Sequence, residues 1–159
     1  MVRPGMRAYF IPLAAGLALS ASAFLPWVVV EDVSLRGFPD TAALWILGLG
    51  LLAAILSILS LITRKNSRHP LLLVGLIALG VMFLSWRIMP ETVASRALIR
   101  SQAVAIVEHR PMDTAPTVLT GSGIYLGLLA SCAIVGFGFT IVFRRVSQAY
   151  VVADPNDDV

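Results

Sequence analysis

Residues 121–143 read GSGIYLGLLASCAIVGFGFTIVF and carry no charged side chain, and Arg144 and Arg145 follow directly. A helix rises about 1.5 Å per residue, so about 20 apolar residues cross the ~30 Å hydrocarbon core of a bilayer. The stretch therefore predicts a membrane-spanning helix. The arginine pair is expected to end this span at the lipid headgroups.

Small residues lie on one face of this predicted helix. Gly123, Gly127 and Ser131 recur every four residues, and Gly138 falls on the same side at about 100° of rotation per residue. A face without bulky side chains lets another helix approach closely, which is how helices associate where lipid supplies no hydrophobic drive. We predict that this face packs against another helix.

The composition of the whole chain agrees with a membrane protein. Of its 159 residues, 58% are apolar and 13% are charged, whereas soluble domains average about 45–50% and about 25%. Four stretches are apolar enough to predict spans, at 8–30, 41–63, 71–89 and 121–143. The expected fold class is all-α, a single integral membrane domain built as a four-helix bundle. The other predicted helix-packing residues are Gly48 and Gly50 in the second span and Ala14 and Ala18 in the first.

The first span has a competing interpretation. Arg3 and Arg7, the apolar stretch and then Ala21-Ser22-Ala23 resemble a secretory signal whose cleavage would remove residues 1–23. The apolar run continues through residues 24–30, which is longer than a signal core. We therefore favour an uncleaved helix.

Residues 90–120 form the longest predicted segment outside the membrane. Pro90 is well placed to open a helix, and the segment from Glu91 to Glu108 alternates polar and apolar residues. This pattern predicts a short amphipathic helix between the third and fourth spans. The helix either lies in the membrane interface or packs over the end of the bundle, and the sequence leaves both open.

The distribution of basic residues predicts the orientation. Lys and Arg cluster before the first span, in residues 64–68 and at the start of the tail, residues 144–159. By the positive-inside rule, both termini are expected in the cytoplasm, for a multi-pass protein of a bacterial inner membrane. The predicted membrane-interface residues are Trp27, Trp86, Arg87, Arg144 and Arg145.

The sequence contains few residues that indicate a catalytic or cofactor site. No Asp, Glu, His or Lys lies in the middle of a predicted span, which is where ion-coupled transporters and proton relays carry them. His69 and His109 are expected on opposite sides of the membrane, and one cysteine cannot build a zinc site. The basic residues flank the spans, as expected for membrane orientation and not for nucleic-acid binding. We predict no catalytic residue, no cofactor and no metal site.

Two short motifs carry a resemblance to known proteins. Phe24-Leu25-Pro26-Trp27 ends the first predicted span, and residues 121–127, GSGIYLG, open the fourth. The pair resembles a loose group of small, uncharacterised bacterial four-span membrane proteins with LPW after span 1 and G-x-G-[IV]-[YW]-L at the start of span 4. The resemblance implies a four-span topology.

The expected function follows from helix packing. We predict a non-enzymatic membrane protein that serves as a structural or accessory subunit of a larger complex. Its partners would be the lipid bilayer and, through the small-residue faces, a second copy or another membrane protein. The alternative is an oligomeric transport or permeability protein, with a pore lined by hydroxyl groups: Ser20, Ser22, Ser57, Ser60, Ser131 and Thr140.

Overall fold

The computed structural model describes residues 8–31, 33–63, 68–109 and 117–146, and for residues 68 and 141–146 the backbone alone. These parts of the chain are mostly helical. The helices are α1 (Phe10–Ser22), α2 (Thr41–Thr63), α3 (Arg68–Glu108) and α4 (Ser122–Val146). The strands are β1 (Pro26–Val30), β2 (Val33–Arg36) and β3 (Val118–Thr120).

Three of the helices are long and apolar enough to cross a membrane. They are α2, the part of α3 from His69 and the part of α4 up to Thr140. Helix α1 has 13 residues, which makes it about 20 Å long, two thirds of a typical hydrocarbon core. The described helices therefore include three of spanning length and one shorter apolar helix.

Each helix packs antiparallel to its neighbours in sequence, and α1 packs antiparallel to α4. The end of α1 at Ser22 meets the start of α4 at Gly123. The rings of Tyr9 and Phe137, at the opposite ends of the same pair, have centroids 5.0 Å apart. Between α3 and α4, a Cβ built at Gly138 would lie 2.7 Å from the Cβ of Leu72. The four helices thus alternate up and down.

The prediction that residues 8–30 form one helix is wrong. Helix α1 ends at Ser22, and Pro26–Val30 forms the strand β1. Proline disfavours helical backbone in the residue before it, and three consecutive valines suit a strand better than a helix. Hydrophobicity alone cannot separate the two structures in a short apolar run.

A small sheet accounts for the departure from the expected all-α class. The strand order is β2-β1-β3, and both pairs are antiparallel. In the register, Val30 lies opposite Val33 on one side and opposite Val118 on the other. The chain after α1 is therefore joined to the chain before α4, so both connections lie at the same end of the bundle.

The prediction of a separate short helix opening at Pro90 is also wrong. Helix α3 continues through Pro90 and has 41 residues, which makes it about 60 Å long. Proline removes one backbone hydrogen bond from a helix, but flanking turns and packing can hold the helix together. Helix α3 contacts β1 and β3, and Met89 and Val93, on either side of Pro90, lie beside Trp27 and Val28. The part of α3 that follows Pro90 therefore begins beside the sheet.

Helices α1 and α2 approach each other closely at two glycines. A Cβ built at Gly16 would lie 2.8 Å from the backbone nitrogen of Ala54 and 2.8 Å from the carbonyl oxygen of Gly50. Both obstacles are backbone atoms, which cannot rotate away. The Ser20 hydroxyl donates to the Gly16 carbonyl at 3.1 Å and reaches across to the Leu47 carbonyl of α2 at 3.4 Å. Two glycines, one from each helix, therefore set this spacing.

We predict that Gly50→Ala destabilises the protein although alanine favours helices. The new methyl group would meet the backbone of Gly16 and Ser20, so overpacking lowers the free energy of unfolding by about 1–3 kcal/mol. The measurement is reversible unfolding in detergent micelles, followed by circular dichroism.

Gly48→Ala in the same helix is the matched control. No described atom lies within 4 Å of a Cβ built at Gly48, so the gain in helix propensity, up to about 1 kcal/mol, has no opposing clash. Equal unfolding free energies for the two variants would contradict the close approach of α1 and α2.

Candidate functional site

Trp27 is the most enclosed large side chain at the sheet end of the bundle. It follows Pro26 at the start of β1, and its exposed fraction is 0%. The indole Nε1–H donates to the backbone carbonyl of Ser22 at 2.8 Å. Carbonyls in the last turn of a helix lack partners further along that helix. The Ser22 carbonyl accepts the indole N–H and also the backbone N–H of Leu25 at 3.3 Å. Trp27 thereby holds the end of α1 against β1.

Three glycines from two separate parts of the chain surround Trp27. A Cβ built at Gly37 would lie 2.5 Å from Cε2 of the indole, and one built at Gly123 would lie 2.7 Å from Cδ1. The backbone N–H of Gly121 donates to the Trp27 carbonyl at 2.7 Å. We call Trp27 and these three glycines the tryptophan junction. Only residues without a side chain fit at these places.

The tryptophan junction brings together the two motifs that carry the resemblance. Pro26 and Trp27 of the first motif contact Gly121 and Gly123 of the second. The Trp27 side chain, which the sequence predicts at the membrane interface, is fully buried and its N–H binds a carbonyl of the protein, so it does not face lipid. Its depth in the membrane stays a prediction. The contact between the two motifs cannot be predicted from their spacing, because they lie more than 90 residues apart in the sequence.

The predicted packing face of α4 points into the bundle. Gly123, Gly127, Ser131 and Gly138 are all buried. At Gly127 an added Cβ would meet the thioether end of Met82 on α3. Gly50 of α2 is buried against α1 in the same way.

Other predicted packing residues have different environments. Ala14 of α1 is exposed, so it does not pack within the described bundle, and Ala18 is half-buried against the core. Gly48 of α2 is exposed, with no described atom within 4 Å of an added Cβ. Residue size, on which these predictions rest, does not report the direction in which a residue faces. Gly16, which is not among the predicted packing residues, contacts the backbone of α2 closely.

The remaining interface predictions fall on α3 and α4. The Trp86 side chain is 38% exposed, and Arg87 beside it is exposed. Trp86 also packs on Phe83, with ring centroids 5.9 Å apart. The backbone of Arg144 and Arg145 belongs to the end of α4, and their side chains lie outside the described part of the chain.

The serines proposed for a pore lining face the inside of the bundle, but their hydroxyl groups are used locally. Ser22 donates to the Leu19 carbonyl at 2.6 Å, Ser57 to the Ala53 carbonyl at 2.7 Å, and Ser131 to the Leu128 carbonyl at 2.9 Å. A serine that bonds the carbonyl one turn back satisfies its own polar atom without water. The bonds at these three serines are those of a packed interior.

The described residues form at least two concave surfaces. The first, which we call the junction cavity, has a volume of about 330 Å³ and lies between Trp27, the end of β2 and the middle of α3. The second, which we call the α2 groove, has a volume of about 400 Å³. Its lining residues are Thr41, Leu44, Trp45, Gly48, Leu49 and Leu52.

The described residues that line these two surfaces do not bring metal ligands together. In the described ranges, no three His, Cys, Asp or Glu side chains lie close enough to hold a metal ion. Among the described residues that line them, the junction cavity has the charged residues Arg36 and Asp40, and the α2 groove has no charged residue. Comparison of the chain with protein-family models, curated proteins and solved structures finds no match.

We predict that Trp27→Phe weakens the sheet end of the bundle. The phenylalanine ring leaves a void, and the variant loses the donor to Ser22, so the free energy of unfolding falls by about 2–3 kcal/mol. Hydrogen exchange followed by mass spectrometry should show faster exchange in residues 117–123, because the Gly121 N–H donates to the backbone carbonyl of residue 27, which the buried indole holds in place.

Trp86→Phe is the control for this experiment. The Trp86 side chain is partly exposed and lies outside the tryptophan junction, so exchange in residues 117–123 should stay at the wild-type rate. Unchanged exchange in the Trp27→Phe variant would show that the indole does not hold these elements together.

Proposed function

We propose that this chain is a non-enzymatic multi-pass membrane protein that acts as an accessory or structural subunit by docking a partner's transmembrane helix on α2. The observation that supports the proposal best is the α2 groove. It combines an exposed glycine floor at Gly48 with the side chain of Trp45, which is 64% exposed. A helix with a small residue at its surface lets a second backbone approach closely, and tryptophan is a frequent anchor of interfaces.

The contrast between buried and exposed glycines supports the same proposal. Gly16 and Gly50 are already used to pack α1 against α2. Gly48, Gly80 and Gly136 have open space where a side chain would be, and of these Gly48 lines a concave surface. The helices therefore have an inner set of glycines that closes the bundle and an outer position suited to a partner.

The polarity of the interior favours this function over solute transport. The buried polar residues of the described part are six serines, at positions 20, 22, 57, 60, 85 and 131. No charged side chain is buried in the described part of the chain. Buried charges mark ion pathways and proton relays. We expect a bacterial inner membrane with both termini in the cytoplasm. Helix α1 begins and α4 ends at the end of the bundle away from the sheet, and Lys and Arg cluster in the sequence next to these helix ends.

We predict that Gly48→Leu abolishes the association without unfolding the protein. Leucine fills the α2 groove and keeps a second helix at a distance, so the amount of partner recovered should fall by about tenfold or more. The measurement is purification of the tagged full-length chain in a mild detergent, with quantitative mass spectrometry of the bound proteins. A second differently tagged copy in the same cells reports self-association.

Gly80→Leu and Gly136→Leu are the matched controls. Both positions are exposed glycines with open space around them, and neither lines the α2 groove. A stoichiometric partner that is lost with Gly48→Leu and kept with both controls supports the proposal. Recovery that is equal in all three variants, or a protein that is monomeric with no bound partner in the wild type, contradicts it.

A further inference from the structure

We propose that the junction cavity binds the headgroup of a zwitterionic phospholipid that bears a primary amine. In this arrangement the lipid phosphate lies at the Arg36 guanidinium, and the lipid ammonium lies at the Asp40 carboxylate. The proposal rests on the membrane placement of the helices and is independent of the docking proposed for the α2 groove.

The position of the cavity along the helices places it at the depth of lipid headgroups. Asp40 directly precedes α2, a helix of spanning length, and Met89 lies about 30 Å along α3 from its first residue. Both residues line the cavity. One hydrocarbon thickness of α3 therefore ends where α2 begins, so the cavity lies at the boundary between the bilayer core and the headgroups.

The lining is divided between apolar and charged groups. Trp27 and Val28 are buried beneath the cavity, and Leu35, Met89 and Val93 supply further apolar surface. A cavity of about 330 Å³ with mostly apolar walls and a few polar groups has the size and character of a small-molecule site. An amphiphile fits such a lining, because its glycerol and first methylene groups contact the apolar walls while its headgroup reaches the charges.

The charges of Arg36 and Asp40 determine which class of lipid headgroup fits the junction cavity. Arg36 is exposed at the end of β2, and Asp40 is exposed before α2. The described part of the chain shows no ion pair between them, so each side chain can bind a separate group. A guanidinium presents several N–H donors that match a phosphate, and a carboxylate accepts hydrogen bonds from an ammonium.

Asp40 already has a structural role that leaves it able to bind. Its Oδ1 accepts the backbone N–H of Ala42 at 3.0 Å, which caps the start of α2. A carboxylate has about four lone-pair positions, so the remaining ones can accept hydrogen bonds from a primary ammonium. The negative charge at this place disfavours a purely anionic lipid. A quaternary ammonium, which has no N–H, makes a weaker contact with Asp40.

The test is native mass spectrometry of the full chain after release from vesicles. The vesicles contain equal amounts of phosphatidylethanolamine, phosphatidylcholine and phosphatidylglycerol, and bound lipids are identified by their mass. We expect the wild type to retain one phosphatidylethanolamine in preference to the other two lipids. Arg36→Gln should reduce this bound lipid by about tenfold, because a charge-assisted hydrogen bond is lost.

The variant Asp40→Asn tests the role of the Asp40 charge separately from that of Arg36. Asparagine keeps the helix cap, so the fold of α2 should be preserved. We expect this variant to lose the preference for phosphatidylethanolamine over phosphatidylglycerol while it still binds phosphate through Arg36. Circular dichroism of both variants checks that they retain their helix content.

Arg87→Gln is the control, because Arg87 is exposed near the same depth but does not line the cavity. It should bind phosphatidylethanolamine as the wild type does. The proposal is overturned if Arg36→Gln retains the lipid, if Asp40→Asn keeps the wild-type preference, or if the wild type binds the three lipids equally. Loss of docking at the α2 groove leaves these results unchanged, so the two proposals fail separately.

Discussion

The close contact between Trp27 and the glycines around it is the constraint on which the sheet end of this protein depends. The Trp27 indole donates to the Ser22 carbonyl at the end of α1. The backbone carbonyl of Trp27 accepts the N–H of Gly121, just before α4. With these contacts, β1 can lie between β2 and β3 and join the two connections of the bundle. A larger residue at Gly37 or Gly123 would displace the indole, and the elements that meet there would separate.

The same reliance on small residues appears between the helices. Gly16 and Gly50 bring the backbones of α1 and α2 together, and Gly138 does the same for α4 against Leu72 of α3. In a bilayer, lipid is as apolar as the helix surfaces, so this close fit supplies much of the stabilisation. Serine contributes at these places because its hydroxyl group returns to the carbonyl one turn back, as at Ser57.

The two concave surfaces are consequences of this packing. Gly50 faces α1, and the two helices are in contact there. Gly48 faces outward, and a groove remains on the surface of α2 beside it. The junction cavity arises because α3 continues past Pro90 and stands beside the sheet. Its charges come from the short connection before α2, at the level where the apolar parts of two helices end. We thus propose partner binding at the α2 groove and lipid binding at the junction cavity, which are different surfaces of the same bundle.

The amino-acid sequence by itself determined that the chain is rich in long apolar helices, because length and hydropathy are properties of contiguous residues. The helix Thr41–Thr63 has the predicted bounds, and the predicted small face of α4 is buried. Only the tertiary structure decided that Pro26–Val30 forms a strand, that Gly48 faces outward and Gly50 inward, and that Trp27 is enclosed. These features depend on contacts between residues far apart in the chain, and neither hydrophobicity nor residue size records the direction in which a side chain points.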